Sequence, residues 1–170
     1  MPLIVVDVET DGQVPHLYSM VCFGAVAVDN TLDKTFYGRT KPISDKWEPT
    51  ALAISGFSRK EHETFDDPLH VMYEFKEWVL QFKKPVFISD NNGFDFAWIN
   101  YYFHRFTGGN PFGHSSRRIG DLYCGMQKDM FQPWKHLRKT THTHHPVDDA
   151  RGNAEAILAM RDMGLKIPSR

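Results

Sequence analysis

The ten residues from Leu3 to Gly12, LIVVDVETDG, set the strongest constraint on how this chain folds. Leu3-Ile4-Val5-Val6 is an apolar run rich in β-branched side chains, the composition of a buried strand. Asp7 and Glu9 extend it at a spacing of two, so both carboxylates leave the same face of the pleat. Like charges on one face of a core strand repel each other and resist the loss of water. Two outcomes resolve that conflict. Either the strand stops at Val6 and both acids are solvated, or a cation sits between them, and hard oxygen ligands then select Mg²⁺ or Mn²⁺.

Bulk properties narrow the class. A chain of 170 residues is long enough for one domain, 1–170, with a sizeable core. A hydrophobic share of 41% and a charged share of 24% exclude a disordered chain. Lys and Arg number 20 against 21 Asp and Glu, so any nucleic-acid contact rests on a local patch. Tight, non-specific binding to long duplexes is disfavoured. Cys22 and Cys124 are too few and too scattered for a disulfide framework, and both are expected as buried, reduced thiols. With no signal peptide or transmembrane run, the expected setting is cytoplasmic and free of membrane. A homodimer is compatible with all of this.

The pattern along the chain predicts an α/β fold without a linker. Met20 to Val28 reads as a second buried strand and Lys34 to Thr40 as a third. A hairpin turn at Asp29-Asn30 joins them, so the first three strands should form an antiparallel meander. Ser58 to Glu61 is a capping box opening a short helix. Pro68 starts a longer helix that ends by Pro85, with Val71, Phe75, Trp78, Val79 and Phe82 on one stripe. Val86 to Ser89 is a fourth strand, and Phe94 to Phe106 reads as a helix broken at Gly108-Gly109-Asn110-Pro111. Arg118 to Asp121 supplies a fifth strand before a helix over Leu122 to Met130. A further helix runs from Pro146 to Met160 with Val147, Ala150, Ala154, Ile157 and Leu158 inward. One mixed sheet with helices on both faces follows.

Three more acids take their places on this frame. Asp95 follows the fourth strand, where open α/β sheets collect ligands, although a first-turn helix acid explains it equally simply. Asp148 and Asp149 share the first turn of the helix that begins at Pro146, where the helix dipole favours carboxylates anyway. Asp149 lies nearer the apolar stripe and is expected to face inward. Five residues before it stands His144, an imidazole suited to take a proton from an attacking water. His142, His144 and His145 also invite a zinc reading, but no paired-cysteine or HExxH spacing completes such a site. The oxygen set Asp7, Glu9, Asp95 and Asp149 suits Mg²⁺ or Mn²⁺ better.

The ordered set Asp-x-Glu, Asp, then His-x4-Asp resembles the DEDDh 3′-5′ exonucleases of the ribonuclease H-like fold. That group includes oligoribonuclease, ribonuclease T and the proofreading subunit of bacterial replicative polymerase. DVETDG carries Asp7 and Glu9, and NNGFD carries Asp95 with Asn91 at the family's frequent Asn position. HHPVDDA carries Asp149 with His144 five residues ahead, leaving His145 off register. Asp90 departs from the His that many members place before that Asn. The likeness spans positions 7 to 149, and the stretch from SDNNGFD through HTHHPVDDARGNAEA is also similar to a small bacterial 3′-5′ exoribonuclease branch.

The resemblance implies a two-ion hydrolase acting on the 3′ end of single-stranded or short RNA or DNA, with RNA slightly favoured, and releasing nucleoside 5′-monophosphates. Asp7 would bridge two Mg²⁺ or Mn²⁺ ions, Glu9 and Asp149 would complete one, and Asp95 would act on the other. His144 would be the general base. Thr10, Asn91 and Phe94 would contact substrate, Phe94 as part of a stacking surface for the terminal base. Two rivals stand beside it: a metal-dependent phosphodiesterase acting on dinucleotides or nucleotides, and a silent nucleic-acid binding module, which a missing acid or histidine would betray. None is missing.

Overall fold

A computed structural model describes residues 1–167. Five strands form one mixed sheet in the order β3-β2-β1-β4-β5. β1 (Leu3–Thr10), β2 (Met20–Ala27) and β3 (Thr35–Arg39) are the expected antiparallel meander. β4 (Val86–Ser89) lies parallel to β1, and β5 (Ser116–Arg118) parallel to β4.

Alternation along β1 sorts the core into two layers. Ile4, Val6 and Val8 face one layer with Phe23, Phe75, Phe87, Trp98 and Phe103, supplied by α3 (Pro68–Leu80) and α4 (Asn92–Thr107). Val5 faces the other, with Val26, Ile88, Ile119, Ala150 and Ile157, supplied by α5 (Ile119–Gln127) and α6 (Pro146–Asp162). Asp7 and Glu9 follow Val5 in the alternation and so leave the sheet on the α6 side. α1 (Pro49–Ile54) and α2 (Arg59–His62) lie in the connection between β3 and α3.

The local chemistry explains the element ends. At α2 both arms of the capping box are present: Ser58 accepts from the Glu61 amide, and the Glu61 carboxylate accepts from the Ser58 amide. Asp67 caps α3 ahead of Pro68. Gly108 closes α4 with a left-handed φ of 75°.

Several expectations are corrected. The β2–β3 link is a longer loop rather than a two-residue turn at Asp29-Asn30; Ala27 donates to the Lys34 carbonyl, and Asp29 Oδ1 accepts from the amides of Thr31 and Leu32. β5 ends at Arg118, and Gly120 and Asp121 already belong to α5, three residues earlier than the helix expected at Leu122. α3 ends at Leu80, well before Pro85, so Phe82 is buried from the loop beyond it. Cys124 is half-buried, not buried like Cys22, and its thiol donates to the Met130 carbonyl. Val147 and Leu158 are half-buried at the margin of the α6 layer.

One close approach fixes how α6 meets the sheet. Gly24 of β2 stands opposite Asp7 of β1. A Cβ there would lie 2.4 Å from the Pro146 carbonyl carbon and the Val147 nitrogen. The start of α6 therefore rests on bare backbone beside Asp7, as only glycine permits.

Candidate active site

The carboxyl end of β1 carries the acids. A bulge between Glu9 and Thr10 skips one residue of β2, so that Glu9 pairs with Cys22 and Thr10 with Met20. Bulges of this kind re-aim side chains at the ends of strands. Asp7 and Glu9 are half-buried, while Asp149, delivered by the first turn of α6, is 1% exposed. One carboxylate oxygen from each of the three lies within 4.8 Å of the other two. Asp148, on the same turn, faces outward towards His145.

Asp95 is also buried, in the first turn of α4. It stands outside that close trio yet near enough for the charges to couple. Burial raises its carboxyl pKa, the Asp7 charge raises it further, and the Ser89 hydroxyl beside it pulls the other way. Burial likewise raises Asp7 well above the usual carboxylate range, with Glu9 and then Asp149 adding repulsion. Glu9 is pushed up to about 7, by burial first and Asp149 second. Among the described residues the trio forms no ion pair with a lysine or arginine; its partners are imidazoles. Arg138 offsets the repulsion at Asp7 only in part, and hard oxygen donors held together with so little counter-charge fit a divalent cation.

The loop before α6 brings His144 to this cluster. Its Nδ1 is 3.5 Å from Glu9 Oε1, and its side chain is half exposed to solvent. The Asp149 carboxylate organises the loop by accepting from the Thr143 amide (3.1 Å) and the His144 amide (3.0 Å). His144 adopts a left-handed φ of 61°, unusual for a side-chain-bearing residue. His145 occupies the N-cap of α6, and its ring packs on Tyr37 at 4.9 Å, away from the acids. Thr10 is buried with its hydroxyl donating to the Gly12 carbonyl, so its side chain serves the turn itself. Asn91 is exposed and caps α4 through its carbonyl, and Phe94 is half-buried against the α4 layer.

Two features lie outside the motif spacing that picks out the site acids and His144. Asp11, two residues beyond Glu9, is fully buried and accepts from Ser19 N (2.5 Å) and from Arg59 (3.0 Å), with His62 Nδ1 3.6 Å away. Burial pushes its carboxyl up to about 6, against the pull of the Ser19 amide and Arg59. His142 is the second: its Nδ1 lies 2.9 Å from Asp149 Oδ1. Spacing alone singles out His144; only the folded loop shows that His142 reaches the same carboxylate.

Comparison with known proteins meets this geometry. Cap18 of Escherichia coli, a 3′-5′ DNA exonuclease, is 37% identical over 166 residues, covering 88% of this chain and 86% of that protein. The chain belongs to the DEDD-type 3′-5′ exonucleases. It is accordingly a hydrolytic nuclease. Solved structures agree on the ribonuclease H-like fold. Cell-death related nuclease 4 matches with a TM-score of 0.76 at 16% identity, over 96% of this chain and 64% of that one. E. coli exonuclease I in complex with a dT13 oligonucleotide matches with a TM-score of 0.72 at 19% identity, over 95% of this chain and 40% of that one. The chain thus spans less than two thirds of either solved structure. No protein-family profile matches it. Among the described residues no helix is long and apolar enough to cross a membrane.

Proposed function

We propose that the protein trims single-stranded DNA from its 3′ end, one nucleoside 5′-monophosphate at a time, with Mg²⁺ or Mn²⁺. The observation that carries this reading is the meeting of Asp7, Glu9 and Asp149 at one strand end with His144 beside Glu9. Asp7, Glu9 and Asp149 would hold one ion, and Asp7 with Asp95 a second. Bound there, divalent ions supply charge stabilisation for the attacking and leaving oxygens of an in-line displacement.

The chain's own groups do the rest. His144 takes a proton from the attacking water at an imidazole nitrogen, as its half-exposed position beside the acids allows. The water oxygen bonds to phosphorus as the bond from phosphorus to the 3′ oxygen breaks, and the departing 3′ oxygen takes a proton from solvent to leave a 3′-hydroxyl on the shortened strand. Asp149, through its bonds to two loop amides, holds the His144 backbone in place. The half-buried Phe94 ring would offer a stacking surface for the terminal base, with Asn91 at the start of the same helix and the Thr10 backbone as further contacts.

DNA rather than the RNA favoured by the sequence motifs is supported by the DNA exonuclease relative and by exonuclease I structures with DNA oligonucleotides. The complete set of acids and the histidine weigh against a silent binding module. The deciding assay uses 5′-labelled DNA and RNA of one sequence, with Mg²⁺ and with EDTA. The expected outcome is a ladder of shortening DNA with Mg²⁺, slower loss of RNA, and no loss in EDTA. Faster loss of RNA would reverse the substrate choice, cleavage confined to dinucleotides would favour the phosphodiesterase rival, and undiminished activity in EDTA would remove the metal.

A further inference from the structure

Asp149 belongs to two clusters at once. One is the oxygen trio with Asp7 and Glu9. The other joins it to two imidazoles, with a ligand atom from each of His142, His144 and Asp149 within 4.8 Å of the other two. His142 Nδ1 already lies 2.9 Å from Asp149 Oδ1, and the two imidazole rings meet edge-on at 4.3 Å. The proposed hydrolysis gives His142 no role. Both imidazoles are close to half exposed, so an ion reaches them from solvent. Amides of Thr143 and His144 clasp the Asp149 carboxylate, which holds the three donors on one short loop and one helical turn.

The donor chemistry of the two clusters differs. Two imidazoles and one carboxylate suit Zn²⁺, which takes three protein ligands with a water in its remaining position. Imidazole nitrogen ranks Zn²⁺ far above Mg²⁺, whereas an all-oxygen set suits Mg²⁺ and Mn²⁺. We propose that His142, His144 and Asp149 form a zinc-class site that switches the nuclease off. An ion held there engages the Asp149 carboxylate that the oxygen trio needs and occupies the imidazole that must accept the water's proton. The two ion classes compete for one carboxylate. The inhibitory half of this inference rests on the reading of His144 as the base; the binding half does not.

The experiment separates the two halves. Zn²⁺ alone is titrated calorimetrically into a variant carrying Asp7→Asn and Glu9→Gln, in which the oxygen trio is disabled, and into the same variant with His142→Ala added. One equivalent should bind to the first, and the second should bind at least about tenfold more weakly, a loss that even an outer-shell partner can cause. In parallel, Zn²⁺ is titrated against DNA trimming at fixed Mg²⁺ by the wild type and by His142→Ala, each normalised to its own zinc-free rate. The inhibitory midpoint should rise at least about tenfold in the variant, in step with the binding loss. Equal binding by the two calorimetric variants overturns the site. Equal midpoints overturn the switch, since zinc would then act at the oxygen trio. Should the protein prove inactive on every nucleic acid, the calorimetry still decides the site while the proposed function falls.

Discussion

Asp11 and the pair Asp7 and Glu9 stand within five residues of one another, yet their carboxylates live in opposite electrostatic worlds. Asp11 is completely buried, but the fold brings it a guanidinium, from Arg59, and a backbone amide, from Ser19. The site acids are brought one another, the edges of two imidazoles and, at Asp149, two loop amides, but no lysine or arginine in ion-pair contact among the described residues. Burial of charge is tolerable when the partner comes with it. Where the chain supplies the counter-charge, the carboxylate is part of the scaffold. Where it supplies too little counter-charge, the repulsion that remains could be relieved by a cation from solution.

The sharpest way to break that contrast is substitution at Asp7. Asp7→Asn should reduce DNA trimming to background while raising the melting temperature of the metal-free protein, because it relieves repulsion from Glu9 and Asp149. A variant that still turns over DNA, or that melts lower without metal, would place Asp7 with Asp11 among the scaffold acids.

Arg59→Leu tests the other side of the comparison. It strands a buried carboxylate, and breaking such a pair typically costs about 3–5 kcal/mol. Urea unfolding should register a loss of that order, opposite in sign to the Asp7→Asn effect. A change below about 1 kcal/mol would mean the pair behaves like an exposed one.

His144→Ala should cost at least about a hundredfold in rate, the lower part of the range for a general base. His145→Ala, whose ring packs on Tyr37, should cost much less. Single-turnover rates at saturating Mg²⁺ measure both, and the reverse order would shift the third motif by one residue.

The smallest effect is a pH dependence. Glu9 carries a folded-state pKa of about 7 against an ordinary 4.5, so the folded protein binds the extra proton. Stability from this group is therefore lost as pH rises from about 4.5 to about 7. The Asp11 carboxyl, raised to about 6, adds to the fall, and buried His62, lowered to about 4, opposes it. Melting curves with and without Mg²⁺ subtract those two, since neither belongs to the oxygen trio. The Mg²⁺-induced rise in melting temperature should grow between pH 5 and pH 8 by the linkage of ion binding to deprotonation, roughly levelling above 8. A rise independent of pH would detach Glu9 from the ion.

Much of this was legible in advance because its signals are local. Apolar runs and turn residues marked β1 to β3, Pro68 and Pro146 marked the starts of α3 and α6, and motif spacing picked out Asp7, Glu9, Asp95, His144 and Asp149 as candidates. Elements with weak signals were lost or shifted. β5 is three polar residues, Ser116 to Arg118, with no apolar period to read. α1 has Pro49 at its start, but it is six residues long, buries only Leu52 and lacks a side-chain cap, so no apolar stripe marked it. The Asp11–Arg59 pair joins residues far apart in sequence, and no spacing rule connects them. His142 entered only in a zinc reading with His144 and His145; its approach to Asp149 is a contact that three nearby histidines in sequence do not reveal.

The contact between Gly24 and the start of α6 has a consequence for when the molecule becomes dangerous. A nuclease is a hazard to its host if partly made chains can cut. On the proposed mechanism Asp7 and Glu9 cannot act until the start of α6 rests on Gly24 and brings His144 and Asp149 beside them. The two parts of the cluster are far apart in sequence, and the contact at Gly24 is where they meet. A methyl group at position 24 would leave every reactive side chain in the chain and yet hold its two halves apart.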